Sequence, residues 1–299
     1  MKTIIIGTTA INRPDLHKNN IPIWYNWINK INKEKYKIKW FINIDIIKKL
    51  DVTYEKTQEN FKNIIKDIDV TFLKSEESKG NFLKACQRVS SNIENYVLEN
   101  NLNKEDVVIF WLEDDWRLIE QVALDLDYII ETYLTKSCYI NFSFLKKNYI
   151  HALAPNVISY ELWEKSNLAA WKKQNKHIDP EHCVGVYYLK HFEKHSKYIN
   201  NITVITKFKN VTDDFFDREC LNYNNSYYTY DINKDDNIIK NNFIDKESIK
   251  TRFNDKNMFI RITCGISSDL GRDYMSNIGL IKDKKKVNFY DDNVDTNNE

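Results

Sequence analysis

The stretch Val107-Val108-Ile109-Phe110-Trp111-Leu112-Glu113-Asp114-Asp115-Trp116 decides the reading of this chain, because an apolar run passes without interruption into three carboxylates. Such a run fits a strand buried on both faces, the kind that lies inside a parallel sheet with helices above and below. Ligands of open α/β sheets collect outside the carboxyl ends of the strands, so the acids stand where these folds do their chemistry. Three adjacent negative charges repel one another unless a cation joins them. A hard divalent ion with oxygen ligands, Mg2+ or Mn2+, answers that need. The plainer alternative is a solvated strand end whose acids sit at the positive terminus of the next helix.

Outward from this strand, apolar runs alternate with helical patterns, which predicts an α/β fold with a doubly wound, mainly parallel sheet and helices on both faces. Lys2 to Thr8 reads as the first strand, and Trp24, Trp27, Ile28 and Ile31 mark a helix over Ile21 to Ile31. Lys37 to Ile46 gives a second strand closing on Asp45, and Val70 to Leu73 a third after a helix carrying Phe61, Ile64, Ile65 and Ile68. Gly80 precedes a helix that buries Phe82, Cys86, Val89, Ile93 and Val97. Beyond the acids, Leu118 to Leu134 reads as a helix and Cys138 to Leu145 as a strand. Asp179-Pro180-Glu181 opens a further helix, running to about His195, with Asp at the cap and Pro at the first position. Thr203 to Phe208 and Met258 to Cys264 read as strands, and Asn222 to Asn242 as a loop rich in Tyr and Asn.

The 299 residues suit one large domain with a C-terminal extension. With 44 Lys+Arg against 43 Asp+Glu, mixed along the chain, the net charge of +1 offers no field for nucleic acid or an anionic membrane. No apolar stretch reaches the length of a transmembrane segment, and Met1-Lys2 leads directly into an apolar strand instead of a signal sequence. Five widely spaced cysteines without a C-x-x-C pair point to a reducing compartment, the cytoplasm, or a host's cytoplasm if the source is a large DNA virus. The abundance of Asn, Ile and Lys is that of an AT-rich genome. Asn141-Phe142-Ser143 and Asn201-Ile202-Thr203 match the glycosylation triplet, a chance match in so Asn-rich a chain.

Thr8-Thr9 and Arg13 after the first strand, Asp45 closing the second, Lys79-Gly80-Asn81 before a helix, Glu113-Asp114-Asp115 and Asp179-Pro180-Glu181 together resemble a nucleotide-sugar glycosyltransferase of the GT-A type, over roughly residues 1 to 210. The resemblance implies a catalytic domain with a donor half to about residue 116 and an acceptor half over 117 to 210, a C-terminal extension over 211 to 290 packed on it, and a disordered tail over 291 to 299. It makes the acids a D-x-D-like motif, with Asp115 the metal ligand and Glu113 facing the ribose or a metal-bound water. Glu stands at Glu113 where the family more often has Asp, and Asp114 can take either part. Thr8 and Thr9 would form a bed for the base, and Asp45 would accept from base or ribose. Arg13, Lys79 and Asn81 would approach the donor, where a glycine and a helix N-terminus favour phosphate.

The implied reaction moves a sugar from a nucleotide diphosphate, a UDP-sugar first, to a hydroxyl of a glycan or protein-linked acceptor, with Mn2+ or Mg2+ as cofactor. If it inverts, Asp179 or Glu181 is the base that takes the acceptor proton. Each of these residues also has a structural alternative as a strand-end, turn or capping residue. His177, His182, His191 and His195 lack the companions of a zinc site, and after His195 only Asp269, Arg272 and Asp273 offer themselves as further metal or diphosphate contacts. Two other classes share features of this pattern. A nucleotidyltransferase would want a Gly-rich phosphate loop that Gly7 alone does not make, and a non-catalytic carbohydrate-binding protein would use the many aromatics, which a core uses equally.

Overall fold

The structure, a computed structural model, describes residues 1–75, 81–118, 125–134, 139–142, 153–174, 179–181, 183–184, 201–203, 229–230, 238–239, 261–263 and 267–270. The expected Lys79-Gly80 loop, the helix beyond Val184, all four candidate histidines after residue 176 and the tail over 291–299 lie outside them, as do Arg272 and Asp273.

The chain begins β1 (Lys2–Ile11), α1 (Pro14–Ile28), β2 (Tyr36–Asp45), α2 (Tyr54–Ile64), β3 (Asp69–Lys74), α3 (Phe82–Glu99) and β4 (Val107–Glu113). It continues with β5 (Trp116–Leu118), α4 (Leu126–Ile129), β6 (Tyr139–Asn141), β7 (Asn156–Ser159), α5 (Tyr160–Trp163) and α6 (Ala169–Lys172), a wide turn over Glu164–Leu168 joining the last two. Five short strands complete the described residues: β8 (Asn201–Thr203), β9 (Thr229–Tyr230), β10 (Ile238–Ile239), β11 (Arg261–Thr263) and β12 (Ser267–Asp269). No described helix is long and apolar enough to cross a membrane.

Among the described residues one sheet has the order β3-β2-β1-β4-β7-β6-β11-β8. All neighbouring strands in it run parallel except β7, which is antiparallel to both β4 and β6. The fold is therefore α/β with a mainly parallel sheet, and its order reverses at β1: the chain first winds outward to β3, then returns through α3 to place β4 on the other flank of β1. A reversal of this kind marks the place outside the carboxyl ends of β1 and β4, called the crevice below, where doubly wound sheets bind ligands.

Alternation along each strand sorts the core into two layers. Ile4, Ile6, Trp40, Ile42, Phe110 and Leu112 pack with Ile21, Trp24 and Ile28 of α1 and Phe61 of α2. Ile5, Phe41, Ile109 and Trp111 pack on the opposite face with Cys86, Val89 and Ile93 of α3 and with Trp163 and Trp171. Gly7 lets α3 lie this close, since a Cβ there would stand 2.8 Å from Val89 Cγ1 and 3.2 Å from Trp111 Cε3.

Several boundaries differ from the expectation. The first helix starts at Pro14, not Ile21, and keeps Pro22 inside it. His17 and Asn20 interrupt the apolar period there yet are buried, so the pattern looked shorter than the helix. Leu118 ends a strand instead of starting a helix, and the helix begins at Leu126. The partner of that strand, β12, is about 150 residues away and leaves no local trace. Within the strand expected over Met258 to Cys264, Arg261–Thr263 forms β11, which lies in the sheet between β6 and β8. The segment expected as a loop over 222–242 holds the antiparallel pair β9 and β10.

Candidate active site

The crevice has two polar walls, one on each face of the sheet. Asp114, only 2% exposed, forms the wall toward α1. Its carboxylate takes hydrogen bonds from Arg13 Nε at 2.9 Å, from Arg13 Nη2, from the Ile11 backbone N–H at 3.2 Å and from His17 Nε2 at 2.7 Å. Burial alone would push this carboxyl up, but the Arg13 charge and hydrogen bonds, helped by His17, hold it well below the usual carboxylate range. Arg13 is raised in turn, the attraction of Asp114 and then Asp115 outweighing the cost of its burial. An ionised carboxylate accepts only, so the imidazole carries its hydrogen on Nε2. His17 Nδ1 and both side-chain polar atoms of Asn20, one helical turn on, are buried without a protein hydrogen-bond partner.

Asp115, from the same turn, meets the same guanidinium but is less buried. Its Oδ2 lies 3.0 Å from Arg13 Nη2, its side chain is 25% exposed, and its backbone carbonyl accepts from Leu270 N–H at 2.9 Å. Because β12 pairs Asp269 with Trp116, the C-terminal region returns its backbone to the acidic turn. Glu113 accepts from the Trp116 indole N–H at 3.0 Å.

The wall toward α3 is a row set by strand register. Thr9 stands opposite Asn43 on one side and Glu113 on the other, and Asp45 lies two residues beyond Asn43 on the same face. Asp45 is nearly buried and accepts from Arg88 Nη2 at 2.5 Å, from Asn43 Nδ2 at 2.9 Å and from the Asn81 backbone N–H at 3.0 Å. Arg88 Nε also donates to Asn43 Oδ1 at 2.8 Å. Asn81 caps α3, its side-chain oxygen accepting from Lys84 N–H at 3.1 Å.

The turn at Asp179 approaches from the α6 side. Asp179 Oδ1 accepts from Glu181 N–H at 2.9 Å, Glu181 Oε1 accepts from Leu153 N–H at 2.6 Å, and the Pro180 carbonyl accepts from the Trp171 indole at 3.1 Å. Burial first, then the charges of Glu113, Asp179, Glu181 and Asp45, push the Cys86 thiol well above its ordinary value.

Thr8 lies on the opposite face of the sheet from the Thr9 row. It is fully buried on the α1 face, where its hydroxyl accepts from the Trp40 indole N–H at 2.9 Å. Thr9 alone of the pair faces the α3 wall. Asp114, expected beside the donor, is likewise an inward residue that secures Arg13 and the end of β1. Lys79 lies outside the described residues. Arg88, Asn43 and His17 were missed, although Arg88 and His17 interrupt or flank the apolar stripes of α3 and α1, and a polar residue in such a stripe is the signal that finds them.

Among the described residues no three His, Cys, Asp or Glu side chains converge as a ready-made metal cage. The partly exposed carboxylates of Asp115 and Glu113 nevertheless fit a hard cation of the Mg2+ type, which uses one or two carboxylates and takes the rest of its oxygens from substrate phosphate and water.

No family model matches the chain, and no curated protein does. Among solved structures it is similar to TarS of S. aureus, at 9% identity and a TM-score of 0.40 over 62% of this chain and 55% of that one. It is similar also to the mannosyltransferase PcManGT from Pyrobaculum calidifontis, solved with GDP-Man and Mn2+, at 11% identity and a TM-score of 0.35 over 55% of this chain and 46% of that one. A glycosyltransferase involved in glycosylation of the major capsid of PBCV-1 overlaps at 9% identity and a TM-score of 0.35, over 64% of this chain and 75% of that one. The chain thus spans about half the length of the first two structures.

Proposed function

We infer that the protein is a glycosyltransferase that moves a sugar from a nucleotide diphosphate, a UDP-sugar first, to a hydroxyl of a glycan or protein-linked acceptor, with inversion. The observation that carries this reading is the row of polar strand ends at the β1–β4 crevice. Asp45, Glu113 and Asp115 close strand ends or the turn after them, and Asp179 and Glu181 flank Pro180, whose carbonyl accepts from Trp171, a residue packed with α3. Carboxylates at the strand ends can hold the divalent ion of a metal-bound donor, and a carboxylate of a separate turn can accept a proton.

Thr9, Asn43 and Asp45 form the floor for base and ribose, with Arg88 keeping Asp45 oriented. Arg13 turns the Asp115 carboxylate toward the crevice. Asp115 and Glu113 would hold Mn2+ or Mg2+, which when bound offsets the charge that grows on the departing diphosphate. Asp179, exposed at the start of its helix, is the preferred base for the acceptor hydroxyl, and Glu181, tied to Leu153, is the second.

Calorimetry with UDP and GDP, with and without Mn2+, tests the donor side. Nucleotide binding should require the metal and vanish in Asp115→Asn, a partly exposed residue whose change leaves the fold intact. Equal affinity in EDTA, or in Asp115→Asn, would remove the assignment. On the acceptor side, Asp179→Asn should slow sugar transfer by about two to four orders of magnitude with donor binding nearly unchanged, and Glu181→Gln much less. A product that keeps the anomeric configuration of the donor, read by proton NMR, would contradict inversion.

A further inference from the structure

Gln87 and Arg88 follow one another on α3 and hold different parts of the chain. Arg88 ties down Asn43 and Asp45. Gln87 donates both hydrogens of its amide, at 2.7 Å each, to the backbone carbonyls of Trp171 and Gln174 at the end of α6. The Trp171 carbonyl also accepts from the Gln174 backbone N–H at 3.1 Å, so the Gln87 amide adds a side-chain clasp across the turn that ends α6. Trp171 is fully buried against Trp111, ring centroids 5.1 Å apart, and its indole N–H donates to the Pro180 carbonyl at 3.1 Å. Gln87 is therefore two hydrogen bonds from the peptide that separates Asp179 from Glu181.

We propose that Gln87 is a positioning residue, holding the Asp179-Pro180-Glu181 turn at a fixed distance from the donor wall through Trp171. This rests on the function proposed above. A primary amide suits the task because its two N–H groups diverge toward two carbonyls, whereas a carboxylate of the same shape would present only acceptors to them. Apolar packing of Leu168, Ala170 and Trp171 with Cys86 and Val89 joins α6 to α3 independently of Gln87, and Lys172 pairs with Glu94 on the same seam, its Nζ 2.5 Å from Oε2. What Gln87 adds is the placement of a base, and misplacing a reacting group by about 1 Å can cost on the order of 100-fold in rate.

The test compares Gln87→Ala and Gln87→Glu with the parent. In 15N-labelled protein the Trp171 indole resonance, assigned with Trp171→Phe, should move in both variants while the proteins stay folded. Mn2+-dependent hydrolysis of the donor, tried with UDP-N-acetylglucosamine, UDP-glucose, UDP-galactose and GDP-mannose, should lose about 10- to 100-fold in kcat, with Mn2+–UDP affinity kept within about twofold. The glutamate variant should be at least as impaired as the alanine one despite its matching shape. An unmoved Trp171 resonance overturns the proposal, as does a loss of UDP affinity equal to the loss of kcat. If the parent neither binds UDP with Mn2+ nor hydrolyses any of these donors, the glycosyltransferase reading fails. The Trp171 resonance then decides alone whether Gln87 governs the turn.

Discussion

Arg13–Asp114 and Arg88–Asp45 are the same chemical pair at the carboxyl end of the same sheet, one against α1 and the other against α3. The first is sealed, with side chains 6% and 3% exposed. In the second the aspartate is equally buried at 4%, but the arginine is 25% exposed and looks into the crevice. A sealed ion pair must satisfy its charges within the protein, and Asp114 does so with four protein donors. The half-open pair keeps guanidinium N–H groups on the solvent side of a strand-end carboxylate, which is what a ligand can use. One pair is structural, and the other is the one proposed to face the donor.

Breaking the sealed pair should have the larger effect. Asp114→Asn takes from the buried Arg13 charge its most buried counter-ion and should cost about 3 to 5 kcal/mol of stability, read by denaturant unfolding. The pH dependence follows from the same residue. Its folded pKa is depressed, so its contribution is fully present above the unfolded value of about 3.9 and is lost as the pH falls from there toward the lowered folded value. Melting temperature should therefore drop steeply below about pH 4 in the parent, and less steeply in Asp114→Asn. Parallel curves for the two proteins would mean that other carboxylates govern acid unfolding.

Opening the second pair should have a smaller effect on the fold and a clearer one on binding. Arg88→Ala leaves Asp45 with the Asn43 amide and the Asn81 N–H, a loss of about 1.5 to 3 kcal/mol for charged hydrogen bonds. The proposed donor role adds a fall of about tenfold or more in Mn2+–UDP affinity, because Asp45 loses its orientation, whereas Asp114→Asn at a temperature where it is folded should alter that affinity less. A reversed ranking would exchange the roles of the two walls.

The contrast also marks what the sequence could reveal. Continuous apolar runs exposed β1, β2 and β4, since a strand buried on both faces writes itself into consecutive residues, and the acids at the end of β4 marked the crevice. The direction each acid faces was not legible. Glu113, Asp114 and Asp115 are adjacent in sequence, yet one lies in the Thr9 row, one is sealed beneath Arg13 and one is partly exposed. That division depends on where the turn bends, which is fixed by Leu270 and Ile11, residues remote from it along the chain. For the same reason β7 went unseen, because four residues between Pro155 and a helix carry too little pattern and its antiparallel pairing with β4 and β6 is purely tertiary.

The smallest effect separates two neighbours that the sequence treated alike. Thr8 and Thr9 are consecutive residues of one strand and so face opposite walls. Thr8→Val keeps the shape but removes the acceptor of the Trp40 indole, leaving a buried N–H unmet at a cost of about 1 to 3 kcal/mol. Nucleotide binding should not change, because the affected face packs on α1 and α2. Thr9→Val should do the reverse. Its hydroxyl stands in the row with Asn43 and Glu113, where a strand accepts valine readily, so stability should move by less than about 1 kcal/mol while UDP affinity weakens severalfold. Measuring both quantities for both variants gives four numbers, and a Thr8→Val protein that binds UDP more weakly than Thr9→Val would place the nucleotide on the wrong face of the sheet for the proposed site.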